Sequence, residues 1–165
     1  YDPQLSYKQR DLLYENIGGH FRDISSQSGP AFQIKHVGRG AAVGDFDNDG
    51  DLDIIVADCG GPPLLMRNDG GNRNHWIAIR ARGSESNRFG IGAKVRVTSG
   101  GRTQLREINP AGSYLSTSDV RLYLGVGPET RIARIEIEWP SGKKQTLQDV
   151  PADQTLLLEE SNAQG

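Results

Sequence analysis

The sequence predicts an all-β chain in two modules: one propeller-blade-like repeat with an acidic hairpin loop, packed on an antiparallel β-sandwich or barrel. Three observations predict it. Beyond His75, apolar and polar residues alternate with period two over most of the chain. Two segments of the first half repeat each other at a blade-sized spacing. Between them a run of alternating aspartates is flanked by short stretches of small or β-branched residues, too short for helices.

In the first module, Leu12-Leu13-Tyr14-Glu15-Asn16-Ile17-Gly18-Gly19 aligns without a gap to Leu64-Leu65-Met66-Arg67-Asn68-Asp69-Gly70-Gly71. The two share Leu, Leu, Asn, Gly and Gly at a spacing of about 50 residues, the size of one propeller blade. The expected order is a strand at Leu12 to Glu15, a turn at Asn16 to Gly19, the segment Phe21 to Ser25, and a loop leading to Gly40-Ala41-Ala42-Val43-Gly44 and the acidic run. One repeat cannot bury a repeat-protein face by itself. Residues 1 to about 70 are therefore expected to pack on the second module, or on another copy of the chain through the open blade edge.

The informative segment is Asp45-Phe46-Asp47-Asn48-Asp49-Gly50-Asp51-Leu52-Asp53, which reads D-x-D-x-D-G-x-x-D. Carboxylates at every second position repel one another, so the pattern predicts a cation among them. Calcium accepts six to eight oxygen ligands in flexible geometry, and Asp45, Asp47 and Asp49 occupy loop positions 1, 3 and 5. Gly50 at position 6 permits the sharp turn, Asp51 offers its main-chain carbonyl, and Asp53 supplies a further carboxylate or holds a water. An EF-hand closes with Glu at position 12 and runs into a helix. Here position 12 is Val56 in the strand-like run Leu52 to Ala57, which also disfavours dockerin-type and thrombospondin-type loops. Strand, ion loop, strand is the remaining arrangement. With these residues the segment resembles the FG-GAP or VCBS-type repeat of integrin-like β-propellers, and the resemblance implies bound Ca2+.

In the second module, Ile77, Ile79 and Ala81 alternate with Ala78, Arg80 and Arg82. Val95 and Val97 alternate with Lys94, Arg96 and Thr98, and Ile135, Ile137 and Trp139 with Arg134, Glu136 and Glu138. These are strands with one buried face. Gly100-Gly101 is a two-residue hairpin turn, Pro140-Ser141-Gly142 another, and Leu122 to Leu124 and Thr155 to Leu158 are further strands. Ser86-Asn87-Arg88-Phe89-Gly90-Ile91-Gly92-Ala93, Gly112-Ser113-Tyr114-Leu115-Ser116, Leu124-Gly125-Val126-Gly127 and Trp139-Pro140-Ser141-Gly142 follow in an order that resembles the ASPIC/UnbV domain. That domain follows a VCBS-type propeller in the cartilage acidic protein family and in bacterial secreted relatives. Thr117, Tyr123 and Val126 depart from the family's usual residues. The expected division is a terminal repeat at 1–72, an ASPIC/UnbV-like β domain at 73–160 and a tail at 161–165.

Across 165 residues, Lys+Arg 19 against Asp+Glu 21 gives a net charge of −2, which argues against a nucleic-acid surface. No apolar run of about 18 residues predicts a membrane span. No signal peptide is visible in this stretch, which begins with Tyr1 and is expected to be a piece of a longer protein. Cys59, the sole cysteine, is expected to be a small half-buried residue at a strand end. His20, His36 and His75 are too scattered for a metal motif, and Pro140-Ser141-Gly142 is no nucleophile elbow, so no catalytic residue is expected. Arg88 is a candidate carboxylate or sugar ligand, weighed against tying its loop to backbone carbonyls. Trp76 and Tyr114 are candidates for an aromatic sugar platform, although Trp76 at the module boundary also fits a seal between modules. Trp139 shares parity with Ile135 and Ile137 and belongs to the core. The expected function is a non-enzymatic extracellular or periplasmic calcium-binding module for adhesion or for a protein or glycan ligand. The alternative is the accessory glycan-binding region of a larger secreted enzyme.

Overall fold

The computed structural model describes residues 6–161, so of the expected tail the positions 162–165 lie outside the described residues. Strand β1 (Tyr14–Ile17) pairs with β2 (His20–Asp23) in a hairpin whose side chains are all exposed. Two 3-10 turns, Ser25–Gln27 and Pro30–Gln33, then carry Phe32 inward. β3 (Gly38–Gly44), β4 (Asp53–Asp58) and β5 (Leu64–Met66) form an antiparallel sheet. Strand alternation gives this sheet two faces. Val56 and Met66 pack with Phe32 in a small core edged by Leu13, Ala31, Ala41, Ile54 and Leu64. On the other face Ile55 pairs across the strands with Ala42 and Leu65, and both Ile55 and Leu65 are exposed.

Leu12-Leu13-Tyr14 aligns with Leu64–Met66 of β5, but the strand expected from Leu12 begins only at Tyr14, so the two copies differ in local structure. The β1–β2 hairpin and the β3–β4–β5 sheet both belong to the first module. They remain separate sheets.

The second module comprises β6 (His75–Arg82), β7 (Lys94–Ser99), β8 (Arg102–Glu107), β9 (Ala111–Ser113), β10 (Ser116–Thr117), β11 (Leu122–Gly127), β12 (Arg131–Glu138), β13 (Lys144–Pro151) and β14 (Gln154–Glu159). A four-stranded sheet ordered β13-β12-β7-β8 faces a three-stranded sheet ordered β11-β6-β14. Their inner faces supply one core: Ile77, Ile79, Leu124 and Leu158 from one sheet, Val95, Val97, Ile132, Ile135 and Ile137 from the other, with Trp139 at its end. This is the expected sandwich. The expected parity holds for Ile77, Ile79, Val95, Val97, Ile135, Ile137 and Trp139. Ala78, of the opposite parity, is buried as well, because its cross-strand neighbours Tyr123 and Thr155 flank it on the outer face. Gly100 and Gly101, at φ 54° and 73°, make the tight turn joining β7 to β8.

One pairing departs from the antiparallel expectation: β14 runs parallel to β6, with Gln154 opposite Ile77 and Glu159 opposite Arg82. β13 ends in the four-stranded sheet, and a turn at Asp153 carries the chain across to the other sheet. The Asp153 amide donates to the Trp76 carbonyl (2.7 Å), while its carboxylate accepts from the Trp76 amide (3.2 Å). These bonds set where β14 starts along β6.

The modules meet along β3. The Ala41 amide donates to the Ser113 hydroxyl (3.0 Å), the Val43 amide to the Ser118 hydroxyl (3.2 Å), and the Asp119 amide to the Val43 carbonyl (2.9 Å). The β9–β10 hairpin thereby covers an edge that would otherwise present unpaired backbone groups. Cys59, expected to be half-buried, is exposed just beyond β4, where the strand has left the small core.

Candidate metal centre

Gly44 and Asp53 face each other at the ends of β3 and β4, so the acidic loop closes a hairpin. The Asp45 carboxylate accepts from the amides of Asp49 (3.0 Å) and Gly50 (3.2 Å), which curls the loop over its first acidic side chain. Asn48 at φ 61° and Gly50 at φ 96° supply the reversal. Gly50 has a second reason to be glycine, because a Cβ there would lie 2.0 Å from the Trp76 ring.

The curl brings one carboxylate oxygen each from Asp45, Asp47 and Asp49 within 4.8 Å of one another. Two oxygens on one calcium ion stand at most about 5 Å apart, so the spacing and the hard-oxygen donor set fit such an ion. Asp45 is buried, whereas Asp47 and Asp49 are exposed. Among the described residues this is the one cluster of three or more His, Cys, Asp or Glu side chains close enough to hold a metal.

Asp51 and Asp53 turn their side chains to backbone amides. Asp53 accepts from Phe46 and from Asn68, both at 2.8 Å, tying the loop's start to the end of β5. One Asp51 oxygen accepts from Gly70 (3.1 Å) and Gly71 (2.8 Å). Its other oxygen is buried without a hydrogen-bond partner among the described residues, an arrangement that is costly unless something else satisfies it. Burial pushes the Asp51 carboxyl above its ordinary value, against the pull of the Gly71 amide, and neighbouring Asp49 pushes it the same way.

The loop is braced from the second module. Arg121 donates from one guanidinium nitrogen to the Asn48 side-chain oxygen (3.1 Å) and from another to the Asp45 carbonyl (3.2 Å). Asp119 holds the guanidinium at 2.6 Å, and the Tyr123 ring lies 5.2 Å beneath it. Burial alone would raise the Asp119 carboxyl, but bonds from Arg121 and the Tyr123 hydroxyl outweigh it and hold the carboxyl below its ordinary value. Burial, reinforced by Asp119, drives the Tyr123 hydroxyl upward. Asp119 and Arg121 had no motif in the sequence to mark them, and Tyr123 stood out only as a departure from a family residue.

The other expected ligand residues, Trp76, Arg88 and Tyr114, do not line one common cleft. Trp76 is half-buried between the modules and lines a cleft of about 420 Å³ with Asn68, Asn74, His75 and Tyr123. Tyr114 is exposed beside Leu115 at the tip of the β9–β10 hairpin, and it does not line that cleft. His36 lies between Asp11 (2.7 Å) and Asp58 (3.4 Å), and His75 pairs with Asp153 (2.6 Å).

Arg88 is exposed, and its main-chain carbonyl accepts from Gly83. The loop that carries it is organised by Glu160, which sequence reasoning did not single out. This buried carboxylate accepts from the amides of Ser84 (2.7 Å), Glu85 (2.8 Å) and Ser86 (2.8 Å), and from the hydroxyls of Ser86 and Ser141. Burial would raise the Glu160 carboxyl, but these donors together hold it far below its ordinary value of 4.5. A carboxyl depressed in the folded state stabilises above its ordinary value, and the contribution is lost as pH falls toward the depressed one. The melting temperature is therefore expected to drop below pH 4.5. Glu160→Gln should melt lower at neutral pH and show a flatter acid slope, measured by thermal melts from pH 7 to 3.

No helix among the described residues is long and apolar enough to cross a membrane. Residues 83–165, half of the chain, match a family model described as ASPIC and UnbV, and residues 5–56 match one described as an FG-GAP-like repeat. Cartilage acidic protein 1 of Homo sapiens is 29% identical over 135 residues, covering 79% of this chain and 20% of the relative. That of Xenopus tropicalis is 32% identical over 110 residues, covering 64% and 17%. The chain spans about a fifth of the length of the curated relatives it matches.

Proposed function

The chain belongs to the ASPIC and UnbV family, with an FG-GAP-like repeat ahead of that domain, and on that premise we propose that it is a non-enzymatic, calcium-stabilised extracellular module for adhesion or ligand binding. The observation that carries this reading is the convergence of Asp45, Asp47 and Asp49 in one hairpin loop. Those carboxylates would hold the ion, and the ion would neutralise them and rigidify the hairpin. Asp53, engaged by two amides, sets the loop's closure and completes the acidic set. The FG-GAP-like match and the similarity to cartilage acidic protein 1 support an extracellular or periplasmic setting. The partner is a protein or glycan, with no nucleic acid and no membrane span. The face carrying half-buried Ala42 and exposed Ile55 and Leu65 offers a route to self-association beside the open blade edge.

An ion that binds only the folded state stabilises it by about 2.7 kcal/mol at a hundred times its Kd. Millimolar calcium should raise the melting temperature and a chelator should lower it. Asp47, exposed and pointed into the cluster, is the residue to remove. Asp47→Ala should abolish the calcium response, and identical melts of wild type with calcium and with chelator would refute the reading.

One observation favours the accessory glycan-binding alternative: the cleft between modules sets Trp76 and Tyr123 beside Asn68 and Asn74. Aromatic faces with amide side chains suit a sugar. Binding on a glycan array that disappears in Trp76→Ala would support it. An array without hits, together with wild-type behaviour of the variant, would dismiss it.

A further inference from the structure

We infer that Arg121 and Trp76 of the second module are positioning residues for the ion loop of the first, so that cation binding and docking of the two modules are one coupled equilibrium. The inference rests on the calcium reading above. It adds that the ion site is built by both modules, although every candidate ligand lies in one.

The geometry is specific on both sides of the loop. On one side Arg121 bridges the Asp45 carbonyl and the Asn48 side chain, and so spans the stretch that carries Asp45 and Asp47. Asn48 is the loop's one non-glycine residue at positive φ, a conformation that an outside bond helps to hold. On the other side the Trp76 ring lies so close to Gly50 that no side chain fits between them. The reversal at Asn48 and Gly50 is thus fixed by contacts from outside the repeat.

Charge does not explain the contact. The guanidinium is neutralised by Asp119 at 2.6 Å, and its bonds to the loop go to a carbonyl and an amide oxygen. Arg121 therefore adds little net repulsion toward a cation. Its contribution is to hold the ligands in place before the ion arrives, which raises affinity by reducing the ordering cost of binding. By reciprocity, an ion that tightens the loop tightens its contacts with Arg121 and Trp76.

The test uses the full chain and calcium alone. Calorimetric titration of Arg121→Ala should show calcium affinity reduced about tenfold, with Arg121→Lys intermediate because it keeps the charge but not the two-pronged contact. Independently of any variant, wild-type tryptophan emission should shift during the titration with the calorimetric midpoint. Trp139 is sealed in the core at 1% exposure, so the shift should vanish in Trp76→Phe. Calorimetric binding in wild type without any emission change would overturn the coupling and leave the calcium reading intact. Unchanged affinity in folded Arg121→Ala would do the same. Absence of calcium heat in wild type would overturn both.

Discussion

Replacing Gly50 with alanine is expected to open the ion loop and to part it from the second module. Two independent costs meet at this position. The backbone sits at φ 96°, where a residue with a Cβ is strained by about 1–3 kcal/mol. The added carbon would also lie 2.0 Å from Trp76 Cε2 and 2.1 Å from Nε1. The indole is half-buried between modules, so relieving the clash means moving the ring or lifting the loop. A combined loss of roughly 3 kcal/mol follows, together with weakened calcium binding, because Gly50 also donates its amide to Asp45. Thermal melts with and without calcium measure both effects. Gly112→Ala is the matched control, since Gly112 lies in strand β9 and nothing comes within 4 Å of a Cβ there. Equal melts for the two variants would show that the loop tolerates a side chain against Trp76.

The second large effect is expected at Trp139. Its side chain is 1% exposed, belongs to the main core, and donates its indole N–H to the Gln145 side chain. Truncation to alanine removes a ring from between the two sheets and leaves a cavity, at about 3–5 kcal/mol. For a module of this size that is a fall of roughly 15–25 °C in melting temperature, a large share of total stability. Trp139→Phe keeps much of the volume and loses the hydrogen bond to Gln145, so it should melt between wild type and alanine. Differential scanning calorimetry of the three proteins orders them. An alanine variant melting with wild type would mean that the sandwich closes without this residue.

The sequence made some of this architecture legible and left other parts dark for physical reasons. Trp139, Ile135 and Ile137 could be assigned to the core because strand parity is written in consecutive residues. The direction of β14 could not, since a period-2 pattern is the same whether its neighbour runs with it or against it. The convergence of Asp45, Asp47 and Asp49 was readable because alternate aspartates around a glycine turn bring their carboxylates to one side of a tight loop. The same spacing is silent on where the Asp51 and Asp53 side chains turn, and the loop's geometry sends them to the amides of Gly70, Gly71, Phe46 and Asn68. Arg121 was hidden because its loop partners Asn48 and Asp45 lie 73 and 76 positions away, and a single arginine between Val120 and Leu122 looks like any outward-facing strand residue. Glu160 was hidden likewise, its meaning lying in amides 74 to 76 positions earlier. Tyr114 and Trp76 looked like one platform only until the hairpin carried Tyr114 elsewhere.

The parallel seam between β6 and β14 has a consequence in time. The module's first strand is the central strand of its sheet, and its outer partners are β11 and β14, the latter the last strand among the described residues. Arg82 meets Glu159 across 77 positions of chain. Hairpins such as β7–β8 close locally and early, but β6 must wait for almost the whole module before it is flanked. Until then Ile77 and Ile79 remain half-sheltered, and the serine hairpin that shields β3 has no finished body to hold it. During synthesis the sandwich is therefore expected to close only once β14 has emerged and can flank β6.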